Sequence, residues 1–404
     1  MLKEFANTKS LKDKRLKQLY LTISRTGPIS KSDLIMQTGL TSTTCSRLID
    51  LLLNKKMISE SGVGESSGGR KPLLYEINST SSYLIGVDIS RTYTKILLLD
   101  LNLVIISEAR LSMNYKTTPN ATINFIIEKT YLMIEDQGIK LSDVLGIGIG
   151  TIGPLDRKLG IILNPFQFPS AGWVDVPIKE ILSKRLGIKT LIDLGVNTAA
   201  IAEYHHSFLN IYKNMIYIIK GVGSRTGVIM DGRLMPGLDK VGIHGQGHMI
   251  VEIHGRKCIC GAYGCVQAYS SIDSIKMEVI SSLKLKRTSI LSEKFSDIEN
   301  IQFEDICDAV NNNDPLCCEI IENAAYYTGI GISNLINILH PELLILSGPT
   351  YRNMNLFYDR VVEVATRRSK ELYPTHNIKF SSGKLGENAI AIGAGRMILS
   401  HYVD

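Results

Sequence analysis

With 404 residues, 44% of them hydrophobic and 21% charged, the chain is too long for a single core, and its composition excludes disordered and fibrous classes. No charge-free apolar run reaches membrane-spanning length. The net charge of +6 lies wholly in residues 1–82, where 13 Lys and Arg face 7 Asp and Glu, while the other 322 residues hold 32 of each sign. A basic module on a neutral body suggests nucleic acid as a partner at one end.

The leading segment MLKEFANTKSLKDKRLKQ is charged and has no apolar signal core, so a cytoplasmic location is expected. In that compartment thiols stay reduced, and clustered cysteines point to metal rather than disulfides. Leu16, Leu19, Tyr20 and Ile23 recur at helical spacing and predict a first helix that Gly27-Pro28 ends. Ser30 stands three residues before Asp33, a capping-box variant that opens a short second helix stopping at Gly39. Thr41 caps a third helix that buries Leu48, Ile49, Leu51 and Leu52. Two helices joined by a tight glycine turn predict a helix-turn-helix. The following SESGVGESSGGRKPLLYEIN reads as a β-hairpin wing. Thr41, Ser42, Thr43, Thr44, Ser46 and Arg47 then form a polar face suited to phosphates and base edges in a major groove, with Arg70 and Lys71 on the wing. The expected partner of this module is a double-stranded DNA operator.

From residue 82 the pattern changes. YLIGVDISRTYTKILLLDLNLVIIS reads as strand, turn, strand, turn, strand, and VLGIGIGTIGPLD as a buried strand ending in glycines. TLIDLGVNTAAIAEY is a strand running into a helix. NMIYIIKGVGSRTGVIMDGRLM repeats the hairpin theme, so two similar α/β lobes with a cleft between them are expected. Between the repeat and the C-terminus lies GHMIVEIHGRKCICGAYGC, which places three of the seven cysteines within eight positions. Three thiolates and one imidazole make a closed tetrahedral zinc site with no open position for water. Spacing alone leaves His244, His248 and His254 as candidates for the imidazole. Cys45, Cys307, Cys317 and Cys318 fall on helical stretches and are expected to pack.

These pieces, in this order, resemble the ROK family of repressors and sugar kinases, and its repressor branch in particular. The resemblance rests on the helix-turn-helix, GGRKPLLYEIN, GVDISRTYTK, GIGIGTIGPLD, GVGSRTGVIMDGRL, the Gly-His pair before CICGAYGC, and NLINILHPELLILSGP. It implies an α/β, two-lobed, actin/hexokinase-like (ribonuclease-H-like) body preceded by an α+β winged helix-turn-helix. The units would be residues 1–82, then 83–193 with 385–404, then 194–384. It also implies a homodimer or tetramer that reads a two-fold operator, and a structural zinc ion on His248, Cys258, Cys260 and Cys265.

The same resemblance argues against catalysis. The family's general base is the Asp of an Asn-Asp pair, and the matching positions here are Leu194 and Gly195, which take no proton. Asp193 lies two residues too early to be assumed a substitute. The family's Asp-x-Gly-x-Thr phosphate loop reads Asp88-Ile89-Ser90-Arg91-Thr92, and its second glycine-rich loop carries Arg225. The expectation is no kinase activity. Of the family's sugar-binding glutamates, Gly245 and Gln267 hold the positions. Loss of several charge-assisted hydrogen bonds, each about 1.5–3 kcal/mol, would abolish ordinary hexose affinity. Two readings remain. In the first, the cleft takes a modified, acidic or phosphorylated sugar, with Arg91 and Arg225 as anion partners and Gln267, His248 and Asn197 as further effector contacts. In the second, the cleft is vestigial and a protein partner gates the regulator. The loop NPFQFPSAGW is expected to form one wall, with Trp173 either packing or offering its face to a sugar.

Overall fold

The structure is a computed structural model that describes residues 2–7, 10–64, 71–209, 211–235, 237 and 245–403. A 3-10 turn, Leu2–Asn7, precedes α1 (Leu11–Thr26), which buries Leu16, Leu19, Tyr20 and Ile23. Strand β1 (Ile29–Ser30) leads into α2 (Lys31–Thr38). Ser30 Oγ accepts from Asp33 N at 3.2 Å and donates to Asp33 Oδ2 at 2.6 Å, so the carboxylate meets the capping hydroxyl. Gly39 ends α2 at φ 68°, a conformation that costs glycine nothing. Helix α3 (Ser42–Asn54) starts from Thr41, whose Oγ1 accepts from Thr44 N, and buries Cys45, Leu48, Ile49 and Leu52. Leu51 is only half-buried. Strands β2 (Ile58–Val63) and β3 (Leu73–Ile77) form an antiparallel hairpin, and β1 joins β3 to complete a sheet of order β1-β3-β2. This is the expected winged helix-turn-helix.

The body is built on two sheets of the same design. The first has β4 (Tyr83–Ile89), β5 (Tyr93–Leu99), β6 (Ile105–Ser112), β7 (Val144–Thr151) and β10 (Lys189–Leu194), in the order β10-β7-β4-β5-β6. Between β6 and β7 lies α4 (Pro119–Asp136). The small hairpin β8 (Leu155–Asp156) and β9 (Ile161–Ile162) and then α5 (Ile178–Leu186) precede β10. Helix α6 (Gly195–Glu203) follows β10 directly. The second sheet has β11 (Met215–Lys220), β12 (Ser224–Met230), β13 (Arg233–Leu234), β14 (Leu343–Ser347) and β15 (Lys379–Ser381), in the order β13-β12-β11-β14-β15. Each sheet pairs its first three strands antiparallel and adds two parallel strands on the other side. The repeated hairpin theme of the sequence is therefore a duplicated α/β unit.

Helices α7 (Gln267–Ser270), α8 (Ile272–Lys284), α9 (Ile290–Lys294), α10 (Phe303–Asn311) and α11 (Pro315–Leu339) lie between β13 and β14. Helices α12 (Pro349–Asn353) and α13 (Asn355–Leu372) precede β15, and α14 (Ala389–Val403) closes the chain. Central strands are buried on both faces, as parallel neighbours require. Ile216 and Ile218 of β11 face the cluster built on α10, α11 and α13, whereas Met215 and Tyr217 face Val196, Ala199 and Ala200 of α6. Helix α14 lies across β4 and β7, because a Cβ at Gly86 or Gly148 would overlap the carbonyl of Ala391 or Ala394. It also packs against α6, so these two helices join the sheets back to back. The winged helix is not loosely tethered. Leu2 and Phe5 belong to one buried cluster with Leu16, Leu19 and Leu48 on one side and Leu399, Tyr402 and Val403 of α14 on the other.

Candidate functional site

The face of α3 expected to meet DNA is set by the helix cap. Thr41, Ser42, Thr43 and Arg47 are exposed, while Thr44 and Ser46 are half-buried. Thr41 and Thr44 also serve the helix start, since Thr41 Oγ1 donates to Thr44 Oγ1 at 2.9 Å. Lys71 is exposed beside the wing, and Arg70 lies outside the described residues. The helix thus offers hydroxyls and one guanidinium on the side opposite its apolar stripe.

The Gly-His and cysteine motifs converge. One donor atom from each of His248, Cys258, Cys260 and Cys265 lies within 4.8 Å of all the others. Cys258 Sγ is 3.6 Å from His248 Nδ1, and Cys260 Sγ is 3.7 Å from Cys265 Sγ. A tetrahedral zinc ion with Zn–S bonds of about 2.3 Å sets its sulfurs about 3.8 Å apart, so the donor set fits such an ion. The turn folds around the donors at Gly261 (φ 92°) and Gly264 (φ 73°), and a Cβ at Gly264 would overlap the Glu252 carbonyl. Cys258 N donates to Ala262 O and Gly264 N to Arg256 O, both at 2.8 Å. His254 is exposed and outside this group, and His244 lies outside the described residues. Cys45, Cys307 and Cys317 are buried on helices, with Cys318 half-buried beside them, which is the expected packing role.

Between the two sheets lies a cleft of about 430 Å³, within the range of small-molecule sites. Its walls include the β4–β5 turn with Ser90 and Arg91, the β11–β12 turn with Gly221 and Gly223, and Gly195 at the start of α6. Arg91 and Arg225, expected as anion partners, both line it. So do Arg110, Arg352 and Glu387, which the sequence reading missed because nothing in their local pattern marks a cleft. Glu387 links the two sides: its Oε2 lies 3.4 Å from Arg110 Nη1 and its Oε1 2.5 Å from Arg352 Nη1. Asp88 is fully buried at the cleft floor, and burial pushes its carboxyl up to about 7 against the opposing pull of Tyr93, Lys95 and Arg110.

The position that the resemblance matches to the family's proton acceptor is Gly195, whose would-be Cβ comes nearest to Ile390 and the Thr151 carbonyl. Asp193 does not replace it. Its Oδ1 accepts from Leu194 N at 2.6 Å and Asn197 Nδ2 at 3.0 Å, and Arg157 Nη1 lies 3.6 Å away. A carboxylate so engaged is an anchor for the β10–α6 junction. Asn197 is therefore corrected: it is buried, donates to Asp193 and does not line the cleft. Neither His248 nor Gln267 is among the residues that line it. Burial and the Arg225 charge hold the His248 imidazole below the usual histidine range. The Gln267 amide lies 3.8–3.9 Å from where a Cβ on Gly223 would be. Of the two roles open to Trp173, it takes the packing one. It is buried, lies tilted at 49° to the Phe168 ring with centroids 4.7 Å apart, and donates through Nε1 to Thr117 O and Ser170 Oγ. Its loop does reach the cleft, because Phe166 O accepts from Arg91 Nε at 2.9 Å.

No described helix is long and apolar enough to cross a membrane. The chain is 27% identical over 403 residues to the xylose repressor of Bacillus spizizenii, with 99% of each chain covered. It is 24% identical over 349 residues to the DNA-binding transcriptional dual regulator NagC of Escherichia coli K12, covering 85% of this chain and 82% of NagC. A crystal structure of a ROK family transcriptional regulator, a homologue of the E. coli MLC protein, superposes with a TM-score of 0.79 at 22% identity over 97% of each chain. The glucokinase of Streptomyces griseus, crystallised with glucose and AMPPNP, gives a TM-score of 0.66 at 23% identity over 78% of this chain and 99% of its own. At those identities the two structures establish the fold. The sequence profile of the ROK family matches residues 84–401, the whole two-sheet body, and the chain belongs to that family.

Proposed function

We propose that this ROK protein is a transcriptional repressor of carbohydrate-utilisation genes that acts in the cytoplasm. It binds a double-stranded operator through α3 and the β2–β3 wing, as a homodimer or tetramer on a pseudo-palindromic site. The observation that carries this reading is a capped, polar recognition helix on a basic module, joined to a kinase-like body whose proton acceptor is glycine (Gly195). Two repressors among its relatives, matched over most of their length, support the same role. The chain is a regulator and not a kinase. Ser42, Thr43, Ser46 and Arg47 are the base- and phosphate-facing residues, with Thr41 and Thr44 dividing their hydroxyls between cap and DNA, and Arg70 and Lys71 following the wing along the backbone.

Three units carry the work: residues 1–82 bind DNA, residues 83–193 with 385–404 form one lobe, and residues 194–384 form the other. A structural zinc ion held by His248, Cys258, Cys260 and Cys265 braces the second lobe against the cleft. A sugar-type effector occupies the cleft, and an open volume of about 430 Å³ supports that reading over a vestigial site. Movement of the lobes would reach the winged helix through α14, which shares its buried cluster with Leu2 and Phe5.

Fluorescence anisotropy with labelled fragments of the chain's own promoter region tests the central claim. Saturable binding that weakens steeply with salt and persists over competitor DNA is expected. Absence of binding at low ionic strength, or transfer of phosphate from ATP to a hexose in a coupled assay, would overturn it.

A further inference from the structure

The two hairpins that face each other across the cleft are equivalent strands of the duplicated sheet, β4–β5 and β11–β12. Each presents one arginine to the same space. Arg91 sits in the first turn, and Arg225 stands on β12 opposite Ile219, which also lines the cleft. Arg91 is aimed: Nε is held by Phe166 O at 2.9 Å, and Nη1 comes to 3.9 Å from the point where a Cβ on Gly223 would stand. The Gln267 amide comes to 3.8–3.9 Å from the same point. Asp273 faces Arg91, but Arg225 has no carboxylate or hydrogen-bond acceptor as partner among the described residues. Its strongest charged neighbour is Arg91 itself, and that repulsion and burial both disfavour its cation. Of the acids that line the cleft, Glu387 is taken by Arg110 and Arg352, Asp88 is buried against Tyr93, Lys95 and Arg110, and Glu304 stands in the wall.

Two like charges brought together from opposite walls, beside a bare glycine turn and an amide, form a receptor for an anion. Guanidinium forks match the oxygens of a phosphate or carboxylate in two-point contact. We propose that the effector carries a compact oxyanion, a phosphate ester in the first instance, seated beside Gly223 between Arg91 and Arg225 with Gln267 completing the cradle. The remaining cleft volume accommodates a group of monosaccharide size. This deepens the effector reading above and rests on it. It also accounts for the missing carboxylates, since acids at Gly195, Gly245 and Gln267 would repel such a ligand.

The test is a titration of the full chain by calorimetry and thermal shift with inorganic phosphate, glucose 6-phosphate, gluconate and glucose, against sodium chloride of equal ionic strength. Expected is saturable binding of the phosphates, strongest for glucose 6-phosphate, with little response to glucose. Arg225→Ala and Arg91→Ala should each weaken it about tenfold or more, and Arg225→Lys should retain part of it. Stronger gluconate binding, lost in the same variants, would keep the oxyanion and replace the ester by a carboxylate. No phosphate response beyond chloride, or a response equal in wild type and both alanine variants, overturns the proposal. Circular dichroism and operator binding of the same preparations show that the variants are folded. The titration reads the protein alone, so a protein that binds phosphate but no promoter DNA sinks the repressor reading only. One that binds DNA but no anion sinks this inference only.

Discussion

Lys220 gives a quantitative check on the packing beneath the cleft. It ends β11, is 1% exposed, and donates from Nζ to Ser270 Oγ at 2.8 Å, with the Phe357 ring 5.8 Å away and no carboxylate partner among the described residues. Burial pulls its amine from 10.5 to about 7. The folded chain therefore releases this proton more readily than the unfolded chain. The resulting cost is fully present below about pH 7, fades as pH rises towards 10.5, and vanishes above it. At about 1.4 kcal/mol per pH unit, the gap sets an upper bound of roughly 5 kcal/mol. Lys220→Met keeps the volume and removes the charge, at the loss of one hydrogen bond of about 1 kcal/mol. Ser270 Oγ stays satisfied, because it also donates to Val266 O at 2.8 Å. The variant should gain about 2–4 kcal/mol at neutral pH, shrinking to within about 1 kcal/mol near pH 9.5. Scanning calorimetry is the appropriate assay, because the one tryptophan, Trp173, packs on the first sheet and does not report on the second. A variant less stable than wild type at neutral pH, or a gain that does not diminish with pH, would refute the reasoning.

Three further outcomes are expected. Arg47→Ala should weaken operator affinity by about 1–3 kcal/mol in anisotropy titrations while leaving the melting of the body unchanged, because its side chain is exposed; unaltered affinity would remove it from the interface. Cys260→Ser should lose the metal measured by atomic absorption and lower the melting temperature of the second lobe, and a chelator should do the same to wild type; full metal content in the variant would break the ligand assignment. Gly148→Ala should destabilise by about 1–3 kcal/mol or more in urea unfolding, since its methyl group drives into the Ala394 carbonyl and displaces α14; a neutral effect would mean that α14 is not held as closely as the packing implies.

Much of the molecule was legible in order of residues because local physics fixed it. The caps at Ser30 and Thr41, the glycine stop at Gly39 and the apolar period of α1 and α3 are short-range features, and they placed the winged helix. The cysteine spacing marked the cluster of three thiols, because a tight turn leaves them few ways to point. The absence of a base at Gly195 is legible in the residue type once the family resemblance marks that position. What sequence alone left open involved long-range placement. Asn197 and Trp173 carry side chains suited to a sugar, and only their partners, Asp193 in one case and Thr117 and Ser170 in the other, show that both are spent on structure.

Sequence by itself determined the winged helix, the duplicated hairpins and the clustering of three cysteines, since each depends on chemistry within a few residues, whereas His248 as fourth donor and Gly195 at the base position came from the family resemblance. Tertiary structure alone decided that Arg91 and Arg225 share one space, that Glu387 ties Arg110 to Arg352, and that Leu2 and Phe5 weld the DNA-binding module to α14. Those meetings, apart from Glu387 with Arg352, join residues more than a hundred positions apart, and they follow from how two sheets stack around α6 and α14, which no local pattern encodes.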